Sequence, residues 1–169
     1  MKNFQTIEEK IKFLSIIERK SIKQICVKLI EEKGELAQKV LMHSNASGTQ
    51  YRNPVTYAQS VNGILEEMID VLLIVKTIGV NFVDIHPTNK ILFSFGDLED
   101  KIIKLDKITT EIVHEAILDS NNLKLIEHLI DFVELYQSLV SYFGITEESQ
   151  NEMTELKVNK WIKVTGLDV

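Results

Sequence analysis

Apolar residues recur at intervals of three and four along most of this sequence, with polar residues between them, which is the pattern of amphipathic α-helices. In the segment 21–42, for example, Ile22, Ile25 and Leu29 would share one helix face. The pattern predicts six helices, the third beginning at Thr56 or Ser60: 6–17, 21–42, 56–78, 97–118, 124–143 and 146–164. No stretch alternates convincingly with a period of two, so the chain is predicted to be all-α.

Residue types at the ends of the predicted helices support these bounds. Thr6 and Thr146 are N-cap candidates, because a threonine hydroxyl accepts a hydrogen bond from the unpaired N–H groups of a first turn. Gly79 and Gly144 follow apolar stretches, as expected of residues that end a helix. The polar stretch 43–53 and the stretch 81–89 are predicted to be loops.

The two halves of the chain resemble each other. The correspondences are 65–71 with 126–132, Glu31 with Glu111, and Glu35 with Glu115. Glu32 and Glu67 are replaced by Ile112 and His128, so the second copy has lost two acidic residues. We therefore predict a degenerate tandem repeat of a helical hairpin in a single domain, 1–169, with the chemistry in 1–90 and a supporting copy in 91–169. Two unrelated amphipathic helix pairs would also look somewhat alike, and that alternative stays open.

Two pairs of acidic residues stand within these apolar helices. Glu32 and Glu35 lie three residues apart in one helix, and Glu67 and Asp70 lie three apart in the next, so each pair shares a helix face. Apolar residues surround the second pair on nearly every side, which favours burial over a solvated acidic face. Four carboxylates brought together in this way would need a cation, and Mg²⁺ prefers such oxygen ligands.

The sequences around the pairs, Glu-Glu-x-x-Glu-Leu-Ala at 31–37 and Glu-Glu-x-x-Asp-Val-Leu at 66–72, resemble a known family. They are similar to the motifs of MazG-like all-α nucleoside triphosphate pyrophosphohydrolases, a superfamily that includes the dimeric dUTPases. The resemblance covers about residues 20–85 well. It implies a helical bundle that binds Mg²⁺, or Mn²⁺ in its place. Such a protein would cleave a nucleoside or deoxynucleoside triphosphate into the monophosphate and pyrophosphate.

The resemblance also implies roles for individual residues. The metal ligands would be Glu32, Glu35, Glu67 and Asp70. A neighbouring carboxylate, Glu31 or Glu66, would orient or deprotonate the attacking water. Lys157 and Asn159 resemble the late basic segment that contacts phosphates in this superfamily, although lysines stand where an arginine is usual. The other candidates for contacts with phosphate, base or sugar are Lys39, Arg52, Asn62 and Trp161, with Tyr51, Asn53 and Tyr57 near them.

Composition narrows the remaining possibilities. The net charge of −6 argues against nonspecific binding to a nucleic acid polymer, and no apolar stretch is long enough to cross a membrane. The single cysteine, Cys26, fits a reducing compartment, so a cytoplasmic protein is expected. An amphipathic bundle of this kind also favours a homodimer or higher homo-oligomer. A noncatalytic nucleotide-binding module, a helical protein-interaction module and a purely structural bundle stay open as alternatives.

Overall fold

A computed structural model of the chain describes residues 6–46, 57–79, 96–118 and 123–166. Every regular element in these ranges is an α-helix, as predicted. The six helices are α1 (Ile7–Ile17), α2 (Ile22–Ala46), α3 (Tyr57–Ile78), α4 (Leu98–Leu118), α5 (Leu123–Phe143) and α6 (Glu147–Thr165). None of the described helices combines the length and the hydrophobicity that a membrane crossing requires.

Threonine caps begin α1 and α6. The Oγ1 atom of Thr6 accepts a hydrogen bond from the backbone N–H of Glu9, and that of Thr146 accepts one from Ser149, each at 3.2 Å. Acidic residues occupy both first turns, where they complement the positive end of the helix dipole. Gly166 ends α6 in the left-handed conformation that glycine adopts without strain. Both predicted N-caps are confirmed.

The helix α2 continues four residues beyond its predicted end at Met42. The sequence predicts a loop for the polar residues after Met42, but tertiary contacts hold the last turn of the helix in place. The Nδ1 atom of His43 lies 2.8 Å from the hydroxyl of Ser60 on α3, and the His43 ring packs edge-on against Phe143 of α5. The helix is continuous through Gly34, although a glycine inside a helix is unfavourable by about 1 kcal/mol relative to alanine. The remainder of the predicted loop and the stretch 81–89 lie outside the described residues.

Two helical hairpins form the body of the fold. Helix α2 packs along α3, α4 packs along α5, and α2 also contacts α4, while α6 lies against α1 and α3. One hydrophobic core joins these helices. Its fully buried large side chains include Leu14, Leu29, Leu36, Ile64, Met68, Ile69, Ile112, Leu125, Leu129, Phe132, Leu135 and Leu139. The acidic residues at 32 and 67 therefore lie on helices that are packed directly against each other.

The hairpins occupy the places that the tandem repeat predicts, but the duplication itself stays a prediction. Ile112 is fully buried in the second hairpin, and the Nδ1 atom of His128 lies 3.3 Å from a carboxylate oxygen of Glu111. The two copies also differ in length. Asp70 comes 9 residues before the glycine that follows its helix, Gly79, whereas Asp131 comes 13 residues before Gly144.

Candidate metal centre and the adjoining cleft

Three carboxylates from α2 and α3 meet at the contact between these helices. One oxygen each of Glu32, Glu35 and Glu67 can be chosen so that all three lie within 4.8 Å of one another. Glu32 and Glu67 are each only 7% exposed, whereas Glu35 is open to solvent. Two of the three carboxylates are therefore held in the protein interior, and the third is accessible to solutes.

The apolar pattern of the two helices explains why these carboxylates are buried. Glu67 lies between Ile64 and Val71 on the face of α3 that packs into the core. Glu32 lies between Leu29 and Leu36 along α2, and both leucines are fully buried. The packing of these neighbours brings the two glutamates together, although burial of a carboxylate without compensation is unfavourable.

Asp70 is engaged with a lysine rather than with the other three carboxylates. The ammonium group of Lys157, on α6, donates a hydrogen bond to Asp70 and a second one, of 2.9 Å, to Glu66. Lys157 is only 8% exposed, so this ion pair is shielded from water. The sequence predicts four ligands. The structure brings three of these carboxylates together, and the fourth, Asp70, lies one turn beyond Glu67 along α3.

A second lysine, Lys28, is paired directly with a residue of the cluster. The ammonium group of Lys28 is 2.6 Å from Glu32 and 3.0 Å from Glu31, both on the same helix. Glu31 itself is exposed, which places it beside the three-carboxylate cluster rather than within it. Lysines thus neutralise part of the acidic charge of Glu32 and of Asp70.

The negative charge at the centre of the three-carboxylate cluster is only partly compensated. Burial raises the pKa of the Glu67 carboxyl, and the charges of Glu35 and Asp70 raise it further. At Asp70, burial raises the pKa while the hydrogen bond from Lys157 lowers it. The same lysine lowers the pKa of Glu66 through its hydrogen bond. The cluster therefore carries more negative charge than its surroundings stabilise, and an added cation would relieve it.

The donor set suits a hard divalent cation. Carboxylate oxygens are the ligands of Mg²⁺ and Mn²⁺, and Mg²⁺ sites commonly use few protein carboxylates and complete their shell with water or phosphate oxygens. A site of two buried glutamates and one exposed glutamate, Glu35, leaves room for such additional ligands. The residues present fit the metal ion that the sequence predicts.

A cleft of about 320 Å³ adjoins this cluster. Its acidic end includes Glu32 and Asp70. Four lysines, Lys20, Lys28, Lys157 and Lys160, line it, and its apolar lining includes Leu73, Ile74, Trp161 and Val164. The volume is at the lower end of the range for small-molecule sites. The cleft combines carboxylates, ammonium groups and an aromatic wall, a set suited to a ligand with an anionic tail and a flat apolar part.

The predicted substrate-binding residues differ in their position relative to the cleft. Lys157 and Trp161 line the cleft. Lys39 is exposed, and its charge acts on the carboxyls of Glu66 and Glu67. Asn62 is exposed near the beginning of α3, more than one turn before Glu67.

Another candidate, Asn159, does not reach the cleft. Asn159 lies on another face of α6, where it lines a shallow groove with Glu155 and Lys163. Arg52, together with Tyr51 and Asn53, lies outside the described residues.

The sequence analysis missed Lys28 and the apolar wall of the cleft. Lys28 precedes Glu32 by four residues, and this spacing by itself indicates an ion pair on one helix face. The wall residues Leu73 and Ile74 carried no such signal, because only the docking of α6 turns them into one side of a cleft.

Comparisons of the chain with protein-family models, curated proteins and solved structures give no match.

Proposed function

We propose that this chain is a Mg²⁺-dependent nucleoside triphosphate pyrophosphohydrolase of MazG-like type. The observation that carries the proposal is that Glu32, one of the three clustered carboxylates, lines together with Asp70 a cleft that is also lined by lysines and a tryptophan. A metal ion needs carboxylates, a triphosphate needs cationic groups and a base needs an aromatic surface. All three kinds of side chain lie next to one another here. The motif resemblance supplies the reaction class.

Glu32, Glu35 and Glu67 would hold the metal ion, and Asp70 would join them when Lys157 moves to a phosphate. When bound, Mg²⁺ supplies charge stabilisation for the phosphate oxygens and lowers the pKa of a coordinated water. The chain itself contributes binding and orientation. Lys157 and Lys28 are placed to neutralise the triphosphate.

The attacking water would be oriented by a neighbouring carboxylate. Glu66 accepts a hydrogen bond from buried Lys157, and its lowered pKa keeps it ionised, so it is suited to accept a hydrogen bond from water. Glu31, also a catalytic candidate, is exposed and paired with Lys28. Glu66 is the better placed of the two, because its lysine partner is buried, whereas Glu31 and its partner Lys28 are both exposed.

The base would lie against Trp161 and the aliphatic side chains beside it. Trp161 is half-buried and lines the cleft four residues beyond Lys157, which places the two on the same side of α6. Aromatic stacking of this kind stabilises any base by about 1–3 kcal/mol and selects weakly among bases. Asn62 and Lys39 would lie further out, near the mouth of the site.

A noncatalytic nucleotide-binding protein is the second candidate. The ion pairs of Lys157 with Asp70 and of Lys28 with Glu32 favour it, because they satisfy part of the acidic cluster without a metal. In that case the cleft would bind a nucleotide and release it unchanged.

The direct test is a panel of nucleoside and deoxynucleoside triphosphates incubated with the protein in Mg²⁺, in Mn²⁺ and in EDTA. We expect metal-dependent release of pyrophosphate, with no orthophosphate, from at least one member. Release of orthophosphate would contradict cleavage between the α and β phosphates. Binding of nucleotides without any phosphate release, measured by calorimetry on the same samples, would favour the noncatalytic candidate.

A further inference from the structure

The cleft has charged residues at a second place, away from the three-carboxylate cluster. Glu18 and Lys20 line it, and both belong to the connection between α1 and α2. The proposed function places the metal ion and the phosphates near Glu32 and Asp70, and the base near Trp161. It leaves Glu18 and Lys20 without a role.

The antiparallel packing of α2 and α3 gives the cleft a direction. Glu32 of α2 meets Glu67 of α3, and further along α2 His43 meets Ser60, which comes earlier on α3. Residues before Glu32 on α2 therefore lie beside residues after Glu67 on α3. Thr77, near the end of α3, lines the cleft and is thus at the end opposite to the metal centre.

Glu18 belongs to this opposite end. The hydroxyl oxygens of Ser15 on α1 and Thr77 on α3 are 3.3 Å apart, and Glu18 follows Ser15 by about one helical turn. Asp70 and Thr77 are two turns apart along α3, or about 10 Å. The two polar ends of the cleft are therefore separated by a distance comparable with the length of a nucleoside.

A tight turn joins Glu18 to Lys20. Arg19, between them, has a φ of 49°, in the left-handed region that residues with a Cβ atom adopt rarely. Glu18 and Lys20 form an ion pair of 2.8 Å, and the Glu18 side chain is only 16% exposed. Among the residues that the structure describes, the Glu18 side chain has no partner besides Lys20. A carboxylate can accept several hydrogen bonds, so Glu18 can accept more from a ligand.

These two charged groups can distinguish bases, whereas stacking on Trp161 selects only weakly. A carboxylate accepts hydrogen bonds and an ammonium group donates them. Guanine presents two neighbouring donors, N1–H and N2–H, beside an acceptor, O6, and so can satisfy both oxygens of Glu18 and the ammonium group of Lys20. Adenine and cytosine have one amino group beside ring acceptors, and uracil has one N–H between two carbonyl oxygens. Each of these bases would leave one oxygen of Glu18 without a donor.

We propose that Glu18 and Lys20 form the base-selecting end of the cleft and that its ligand is a guanine nucleotide. The inference rests on the proposed function for the end at which the phosphates lie. Glu18 accepts hydrogen bonds from N1–H and N2–H, Lys20 donates one to O6, and Trp161 stacks on the ring.

Calorimetric binding of α,β-methylene nucleoside triphosphates in Mg²⁺ tests this selection. These analogues resist cleavage between the α and β phosphates, so they report binding alone. We expect the guanosine analogue to bind at least about tenfold more tightly than those of adenosine, cytidine and uridine, because a hydrogen bond to a charged group contributes about that factor. The inosine analogue, which lacks only the N2 amino group, should be intermediate. Equal affinities for all bases, or no binding, would overturn the proposal.

Variants of the pair separate the two contacts. Glu18→Gln should remove the preference for guanosine over inosine, because glutamine offers one acceptor and one donor in place of two acceptors. Lys20→Met should weaken the guanosine and inosine analogues alike, since both carry O6. The matched control is Glu8→Gln, on α1, because Glu8 is also paired with a lysine but lies outside the cleft. It should bind all analogues as the wild type does.

The same data distinguish base selection from a structural role of Glu18. If Glu18→Gln changes the affinity for every base by the same factor, Glu18 shapes the cleft without contacting the base, and the proposal is wrong. The hydrolysis test is independent. Guanine selection without pyrophosphate release would retain this inference and reject the enzyme, whereas pyrophosphate release without base selection would do the reverse.

Discussion

At the scale of single residues, the carboxylates of this site are held in place by their neighbours in the chain. Glu32 and Glu67 are carried inward by helix faces that are otherwise apolar, and Lys28 and Lys157 compensate them only in part. The sequence indicated the acidic pairs because their spacing and apolar surroundings are local. It could not indicate that Asp70 would pair with Lys157, since the two residues are 87 positions apart.

Replacement of Lys157 by methionine would leave Asp70 and Glu66 without their buried cation. We expect a loss of about 3 kcal/mol in the free energy of unfolding without divalent metal, because breaking a buried ion pair leaves an uncompensated charge. Mg²⁺ should restore more stability to this variant than to the wild type. Urea unfolding with and without Mg²⁺ measures both effects. Lys160→Met, at an exposed position on the same helix, is the control and should change stability little.

Acid should weaken metal binding at an unusually high pH. The pKa of Glu67 is raised by burial and by its acidic neighbours, so it binds a proton above the usual range near 4.3, and a protonated carboxyl is a poor ligand. The Mg²⁺-induced rise in melting temperature should therefore shrink as the pH falls from 7.5 towards 5.

The stability of the metal-free protein should change with pH in the opposite direction. A carboxyl with a raised pKa binds protons more readily in the folded state, so Glu67 adds stability as the pH falls through its folded pKa. Glu66 has a lowered pKa, and its contribution is lost only at more acidic pH. A Mg²⁺ effect with the same pH dependence in Glu67→Gln as in the wild type would show that Glu67 is not a ligand.

At the scale of elements, α6 determines whether the site has a cleft. Lys157 and Val158 are the two residues of this helix that are buried, and Trp161 closes one wall of the cleft. The amphipathic pattern predicted the helix and its cap but not its neighbours. Its weak apolar face leaves many packing arrangements open, and contacts with α1 and α3 select one.

Removal of the cap of α6 should therefore disturb the cleft. Thr146→Ala loses the hydrogen bond to the Ser149 N–H, at a cost of about 1 kcal/mol, and should increase amide exchange in α6 and alter the fluorescence of Trp161. Thr6→Ala removes an equivalent bond from α1 and is the matched control. It should lower stability by a similar amount and change the tryptophan signal less, because it acts on α6 only through the contacts between α1 and α6. Identical spectra for the two variants would argue that α6 is held by its tertiary contacts alone.

At the scale of the whole molecule, a single core connects the two hairpins. The hydrophobic core runs from Leu14 of α1 through Ile64 of α3 to Phe132 of α5. The hairpin that carries the three carboxylates therefore packs against the other hairpin. The sequence predicted the helices, their order and most of their ends, because these depend on short-range periodicity. The shape of the cleft and the ion pairs across it depend on contacts between distant segments, which periodicity does not encode.

This shared core predicts cooperative unfolding. Phe132→Ala, at a fully buried position far from the carboxylates in sequence, should reduce the free energy of unfolding by about 3–5 kcal/mol. Circular dichroism and Trp161 fluorescence should report the same urea midpoint, in the wild type and in the variant. Separate midpoints for the two signals would indicate that the hairpins are independent units, contrary to the single domain predicted here.

The most direct measurement compares pyrophosphate release by Glu67→Gln and by Glu115→Gln at saturating Mg²⁺ and substrate. Glu67 belongs to the three-carboxylate cluster, whereas Glu115 is the second-hairpin counterpart of Glu35 in the proposed repeat. Our account predicts a loss of at least about 100-fold for Glu67→Gln, as befits a direct metal ligand, and nearly full activity for Glu115→Gln. Full turnover by a folded Glu67→Gln protein would contradict the metal centre and, with it, the proposed function.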